Sequence, residues 1–183
     1  MSTMSMIGQL ASGMLATCEI FVLTLVFSLP LGLLVAFGRM SKIKPVQLIT
    51  KIYISIMRGT PLMLQLLIWS FGPFYLWGMN IGGYKFTAII LGCSLNYAAY
   101  FAEIYRSGIE SIPKGQYEAA SVLGYNKNQT FFRIIFPQMV KRVLPPVTNE
   151  VITLVKDTSL AFVLAYEEMF TVAKQIASAR TSI

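Results

Sequence analysis

Six polar residues interrupt stretches of this chain that are otherwise apolar: Gln65, Asn96, Glu103, Glu150 and the pair Lys156-Asp157. With 55% hydrophobic residues, 13% charged residues and a positive mean hydropathy, the chain falls in the membrane class. An ionised side chain at the centre of a bilayer costs about 3 kcal/mol or more unless it is paired or wetted. Such residues therefore line a polar path or cross-link helices. Gln65 suits either role, and Lys156-Asp157 either contacts a solute or holds two pieces of a broken segment together. Glu103 and Arg106, three residues apart, share a helix face and form a local ion pair or contribute to a path or gate. Asp157-Thr158-Ser159 has the composition of a helix N-cap, which predicts an interruption there. Other chemistry is excluded. Histidine is absent, which removes His-based triads and the usual zinc ligands, and Cys18 and Cys93 are too far apart in sequence for a Cys-x-x-Cys site, which leaves them as packing residues.

The elements that must position these groups are four predicted membrane segments in one domain, residues 1–183, with no internal repeat. Met1 to Thr17 carries no charge, so it lacks the basic region of a secretory signal and reads as mature chain. Segment one covers Ile20 to Phe37, extended by Ala11 to Ala16, and its Ser28, Gly32 and Ala36 form a small-residue stripe for helix packing. Segment two, Leu62 to Leu76, is short. It must recruit the helix before Pro61 or remain tilted and kinked; Arg58 anchors at the interface and Gly59-Thr60-Pro61 supplies the kink. Met79 to Tyr84 reads as a turn. Segment three, Phe86 to Ile104, carries a second stripe at Ser94, Ala98 and Ala102, and segment four runs from Val143 to about Leu164, its start weakened by Pro145-Pro146. A tail follows Tyr166.

Between segments three and four lies a polar island, residues 111–137. Pro113 and Gly124 bracket about three turns of helix; a second short helix is capped by Asn126 or Asn128 and ended by Pro137. Ala119, Ala120 and Gly124 let another backbone approach, with the fixed charge of Glu118 beside them. The loops 38–58 and 105–142 together hold eleven of the fifteen basic residues, which makes their side cytoplasmic and puts the N-terminus outside. The net charge of +7 thus reflects membrane topology and not nucleic-acid binding.

Glu118-Ala-Ala, three residues, Gly124, nine residues, then Ile134-x-Phe136-Pro137 resembles the EAA coupling loop of ATP-binding-cassette (ABC) importer permeases. Four further blocks resemble the polar amino acid branch of that family: Arg58-Gly-Thr-Pro61, Tyr97 to Gly108, Gly115-Gln116-Tyr-Glu118, and Lys156-Asp157-Thr158-Ser159-Leu160. The resemblance covers about residues 10 to 180. It implies an all-α type I ABC importer permease in a prokaryotic inner membrane, working with a second identical or related permease, a cytoplasmic ATPase dimer and an extracytoplasmic solute-binding protein. ATP and Mg would belong to the ATPase, since this chain has no phosphate-binding Gly-x-x-x-x-Gly-Lys-Ser/Thr loop. It assigns ATPase coupling to Gln116, Glu118, Ala119, Ala120, Gly124 and Pro137. The solute path is expected along Gln65, Asn96, Glu103, Glu150, Lys156, Asp157, Thr158 and Ser159.

A helix broken at Asp157 would present free N–H groups to an amino acid's carboxylate, with Lys156 adding charge and Asp157 holding the ammonium. The family pattern also leads to a fifth membrane segment, expected after Ile183. A secondary transporter or channel would leave the polar island unexplained, a membrane enzyme lacks a visible nucleophile, and a non-transporting scaffold is what an incomplete permease would be.

Overall fold

The computed structural model describes residues 3–78 and 80–181; Met79 of the predicted turn and Ile183, the expected edge of a fifth segment, lie outside the described residues. The described residues are almost wholly helical. In order they form α1 (Thr3–Arg39), α2 (Lys44–Gly59), α3 (Leu62–Trp77), α4 (Ile81–Glu110), α5 (Lys114–Val122), α6 (Lys127–Thr130), a π-helical turn (Phe131–Ile135), α7 (Phe136–Asp157), a 3-10 helix (Thr158–Leu164) and α8 (Met169–Thr181).

The pairing of α1 with α4 is the spine of the fold, and the two small-residue stripes explain it. Ser28, Gly32 and Ala36 are buried on α1, facing a stretch of α4 in which Ser94, Ala98, Phe101 and Ala102 are buried. A Cβ placed on Gly32 would lie 2.8 Å from the Cβ of Phe101 and 3.1 Å from the carbonyl oxygen of Ala98, so only glycine permits this crossing. Around it Ile20, Leu66, Ile89, Tyr97, Phe101 and Leu154 are fully buried in one cluster that joins α1, α3, α4 and α7.

Of the four predicted segments, α1 and Gly82–Glu110 of α4 are each long and apolar enough to cross a membrane. The stretch before Pro61 does not extend α3. Thr60 is extended, as a residue before proline is biased to be, and α2 meets α3 at 108°, so the two amount to a third span only when taken as one broken unit. The fourth segment, α7, is 22 residues long but carries Lys141, Arg142, Glu150, Lys156 and Asp157, too many charges to read as a span by composition alone.

Three boundaries differ from expectation. The turn predicted over Met79 to Tyr84 ends at Asn80, whose side chain accepts the Gly82 N–H (2.9 Å) and starts α4 at Ile81. Pro137 does not end a helix. The preceding π turn, in which the Phe136 N–H reaches back to Phe131, widens the helix so that a proline without an N–H is seated in the first turn of α7, and one continuous rod runs from Lys127 to Asp157. Pro145 and Pro146 lie inside that rod. The tail after Tyr166 is helix α8, packed on the N-terminal half of α1: a Cβ on Gly13 would come within 3.0 Å of the Met169 Cα, and the Met169 N–H donates to Thr17 Oγ1 (3.1 Å). Glu168, fully buried, caps α8 by accepting the N–H groups of Phe170 and Thr171 (2.7 Å each) and the Thr171 hydroxyl (2.8 Å).

Candidate functional site

The bend between α2 and α3 opens a wedge beside α4 and α7, and a cavity of about 580 Å³ fills it. This lies within the range of roughly 300–1,000 Å³ usual for small-molecule sites. Three elements supply its polar wall. The bend gives Arg58 to Pro61; α4 gives Asn96, Tyr97 and Tyr100; α7 gives Glu150, Thr153 and Asp157. The α7 residues stand at i, i+3 and i+7 and so share one face, with Glu150 and Asp157 about 10 Å apart along the axis. A smaller pocket of about 260 Å³ adjoins it, sharing Arg58, Tyr100 and Glu150 and adding Glu103 and Ser107.

The predicted path residues divide. Glu150 and Asp157 face the main cavity, and Asp157 Oδ2 accepts the Tyr97 hydroxyl at 2.7 Å. Asn96 lines it while committing its amide nitrogen to Met57 O (2.9 Å) and Gln65 Oε1 (3.1 Å). Gln65 is buried as a cross-link: its amide nitrogen donates to Met57 O (2.9 Å), Thr60 O (3.1 Å) and Thr60 Oγ1 (2.7 Å), which fastens the bend to α3 and, through Asn96, to α4. Glu103 belongs to the smaller pocket. It pairs with Arg106 at 2.6 Å on its own helix and with Arg39 of α1 at 4.0 Å, while Arg106 also bridges to Glu110.

Lys156 points elsewhere. It is exposed, does not line the cavity, and has no ion-pair partner among the described residues, so Lys156 and Asp157 are not paired. The expected ring of free N–H groups after Asp157 is also absent, because the chain passes from α to 3-10 helix without a break: the Thr158 N–H is bonded to Leu154 O. Thr158 and Ser159 return their hydroxyls to Val155 O (2.8 Å) and Lys156 O (2.6 Å). Tyr97, Tyr100 and Thr153 were not anticipated as cavity residues. The face shared by Glu150, Thr153 and Asp157 is a sequence signal for Thr153; no signal marks the tyrosines.

The polar island forms an exposed corner at the other end of α4 and α7. Gly124 adopts φ +76°, with nothing within 4 Å of a Cβ there, and the Tyr125 N–H closes back onto Ala120 O (3.0 Å). Asn126 and Gln129 cap α6 reciprocally, each accepting the other's backbone N–H (2.9 and 3.0 Å). Ala120 is buried; Gln116, Glu118, Ala119 and Pro137 are exposed. Val122 and Leu123, beside the corner, are 88% and 73% exposed. Gln138 ties the corner to α7 by donating to Gln116 Oε1 (3.3 Å) and Ile134 O (2.9 Å), and the Arg142 guanidinium donates to Ser111 O.

Residues 28–180 match the family described as binding-protein-dependent transport system inner membrane component. The chain belongs to this family. Its members are transport components of a membrane, not enzymes. The permease is 39% identical to the L-cystine transport system permease protein TcyB of Bacillus subtilis (strain 168), over 91% of its own length and 70% of that protein's. It is 36% identical to the arginine transport system permease protein ArtQ of the same organism, over 97% and 80%, and 44% identical to the probable amino-acid ABC transporter permease protein YckA, over 80% and 63%. It spans about half, 53%, of the arginine permease ArgU of Corynebacterium glutamicum. A solved amino acid ABC transporter, crystallised with histidines, superposes with a TM-score of 0.86 at 34% identity, over 99% of this permease and 85% of that chain. The MetNI methionine transporter in its inward-facing form shares the fold, with a TM-score of 0.67 at 20% identity.

Proposed function

We propose that the permease is the membrane-spanning subunit of an ATP-driven importer of polar amino acids. In this reading its 183 residues form one domain that crosses the membrane four times, with the N-terminus outside and the corner at residues 111–137 in the cytoplasm. It acts with a second copy or a related chain, receives solute from an extracytoplasmic binding protein, and is driven by a cytoplasmic ATPase dimer that holds ATP and Mg. Relatives named for cystine and arginine transport support the substrate class.

One observation carries the mechanism: the two helices that leave the exposed corner, α4 and α7, are the same helices that present Tyr97, Tyr100, Glu150 and Asp157 to the cavity. A push on α5, with Gln116, Glu118, Ala119, Ala120 and Gly124 in the groove of the ATPase, reaches the cavity through rigid helix. Pro137 keeps its place in the rod through the π turn. At the cavity, carboxylates face the solute and the Gln65–Asn96–Met57 cross-link holds the bend at Gly59-Thr60-Pro61.

The test is ATPase activity of the reconstituted complex across a panel of amino acids, wild type beside Gly124→Trp. Stimulation by one or a few polar amino acids, lost with the bulky side chain at the corner, is the expected result. Stimulation that survives Gly124→Trp would overturn the docking role of the corner.

A further inference from the structure

With no free N–H groups after Asp157, the cavity's positive group is Arg58, which stands on the last turn of α2 immediately before the bend. Its guanidinium lies 5.1 Å from the centroid of the Tyr100 ring. Among the described residues no carboxylate comes within ion-pair distance of it, although Glu150 shares both of its pockets and Glu103 shares the smaller one. Of the three carboxylates that line the two pockets, two are tied elsewhere: Glu103 is held by Arg106 and Arg39, and Asp157 by Tyr97. A planar, permanently charged fork, resting on an aromatic face and facing a polar cavity, has its hydrogen-bonding edge free for a planar anion.

Resting on the amino-acid reading above, we propose that Arg58 is the carboxylate-binding residue of the cavity, held ready by the Tyr100 ring. A bidentate, charge-assisted bond to a carboxylate is stronger than a cation–π contact, so the solute's carboxylate takes the fork from the ring's edge side while its ammonium faces Glu150 or Asp157. Arg58 also stands where the two pockets meet, so the same contact sits at the passage from the larger to the smaller.

The experiment measures direct binding of the best-stimulating amino acid, and of its carboxamide, to the permease–ATPase complex in nanodiscs without the binding protein. This excludes selection by the latter. A charge-assisted hydrogen bond is worth about a tenfold to hundredfold change in affinity, so wild type should prefer the acid to the amide by at least tenfold. Arg58→Gln should bring that preference below about twofold, and Arg58→Lys, which keeps the charge without the fork, should leave it in between. Where Arg58→Gln does not assemble, the intermediate preference of Arg58→Lys carries the test. Undiminished preference for the acid in the variants overturns the assignment of Arg58 alone. If no amino acid binds wild type, the amino-acid reading falls, and the assignment with it.

Discussion

What a glycine contributes in this chain depends on what stands opposite it. Gly32 and Gly8 both lie inside α1, yet a Cβ on Gly32 would press on the Cβ of Phe101 and on a carbonyl oxygen, neither of which can rotate aside, whereas one on Gly8 would meet nothing within 4 Å. Gly32→Ala therefore forces α1 away from α4, at a cost of about 1–3 kcal/mol that outweighs the gain of about 1 kcal/mol in helix propensity. Gly8→Ala receives the propensity gain alone. The same substitution should thus lower the melting temperature of the solubilised permease at position 32 and hold or raise it at position 8. Equal shifts at both positions would show that the α1–α4 crossing is not set by the Gly32 contact. The small-residue stripes were legible because close packing needs small side chains at a fixed four-residue period. Arg58 was harder to place, since the same residue serves an interfacial anchor or a cavity wall until the bend turns α2 toward α7.

Among the elements, the rod from Lys127 to Asp157 carries the mechanics of the proposed coupling. A proline at position 137 in a regular helix would clash with the carbonyl four residues back and break the ladder; the π turn at Phe131–Ile135 removes that conflict and sets how the corner is rotated against α7. Pro137→Ala releases the constraint, and a return to regular i→i−4 bonding shifts the register by one residue, about 100° of rotation. The expected result is a complex that still binds its ATPase but takes up severalfold less solute per ATP hydrolysed, read from uptake and phosphate release in the same proteoliposomes. An unchanged ratio would mean that the corner's orientation is set elsewhere, for example by the link from Gln138 to Gln116. Element existence was readable from apolar runs and caps, and Gly124 and Asn126 took the backbone roles their types imply. Continuity was not. Pro137 and Asp157-Thr158-Ser159 both read locally as stops, and in both cases the chain changes helix type instead of ending, a solution that depends on what packs around it. Helix α8 was missed for a related reason: its cap is a glutamate buried by tertiary contact with α1, and an exposed-looking Glu167-Glu168 pair gives no sign of that.

For the molecule as a whole, charge and geometry agree with the proposed orientation. The exposed corner, the Arg39–Glu103–Arg106–Glu110 cluster and the basic start of α2 lie toward one end of α4, while α8 and the first turns of α1 lie toward the other. Basic loops are retained on the cytoplasmic side, and the proposed topology accordingly puts the corner end in the cytoplasm and α8 outside, where a solute-binding protein would arrive. Site-directed labelling tests this directly in intact cells. In a Cys18→Ser background, which leaves Cys93 buried, Asn128→Cys lies on the exposed corner and Ser12→Cys on the exposed face of early α1. A membrane-impermeant maleimide added outside should modify Ser12→Cys and spare Asn128→Cys, and inverted vesicles should reverse the pattern. Labelling of Asn128→Cys from outside would invert the permease. The corner could then not meet a cytoplasmic ATPase, and the path from it through α4 and α7 to the cavity would have no driving partner.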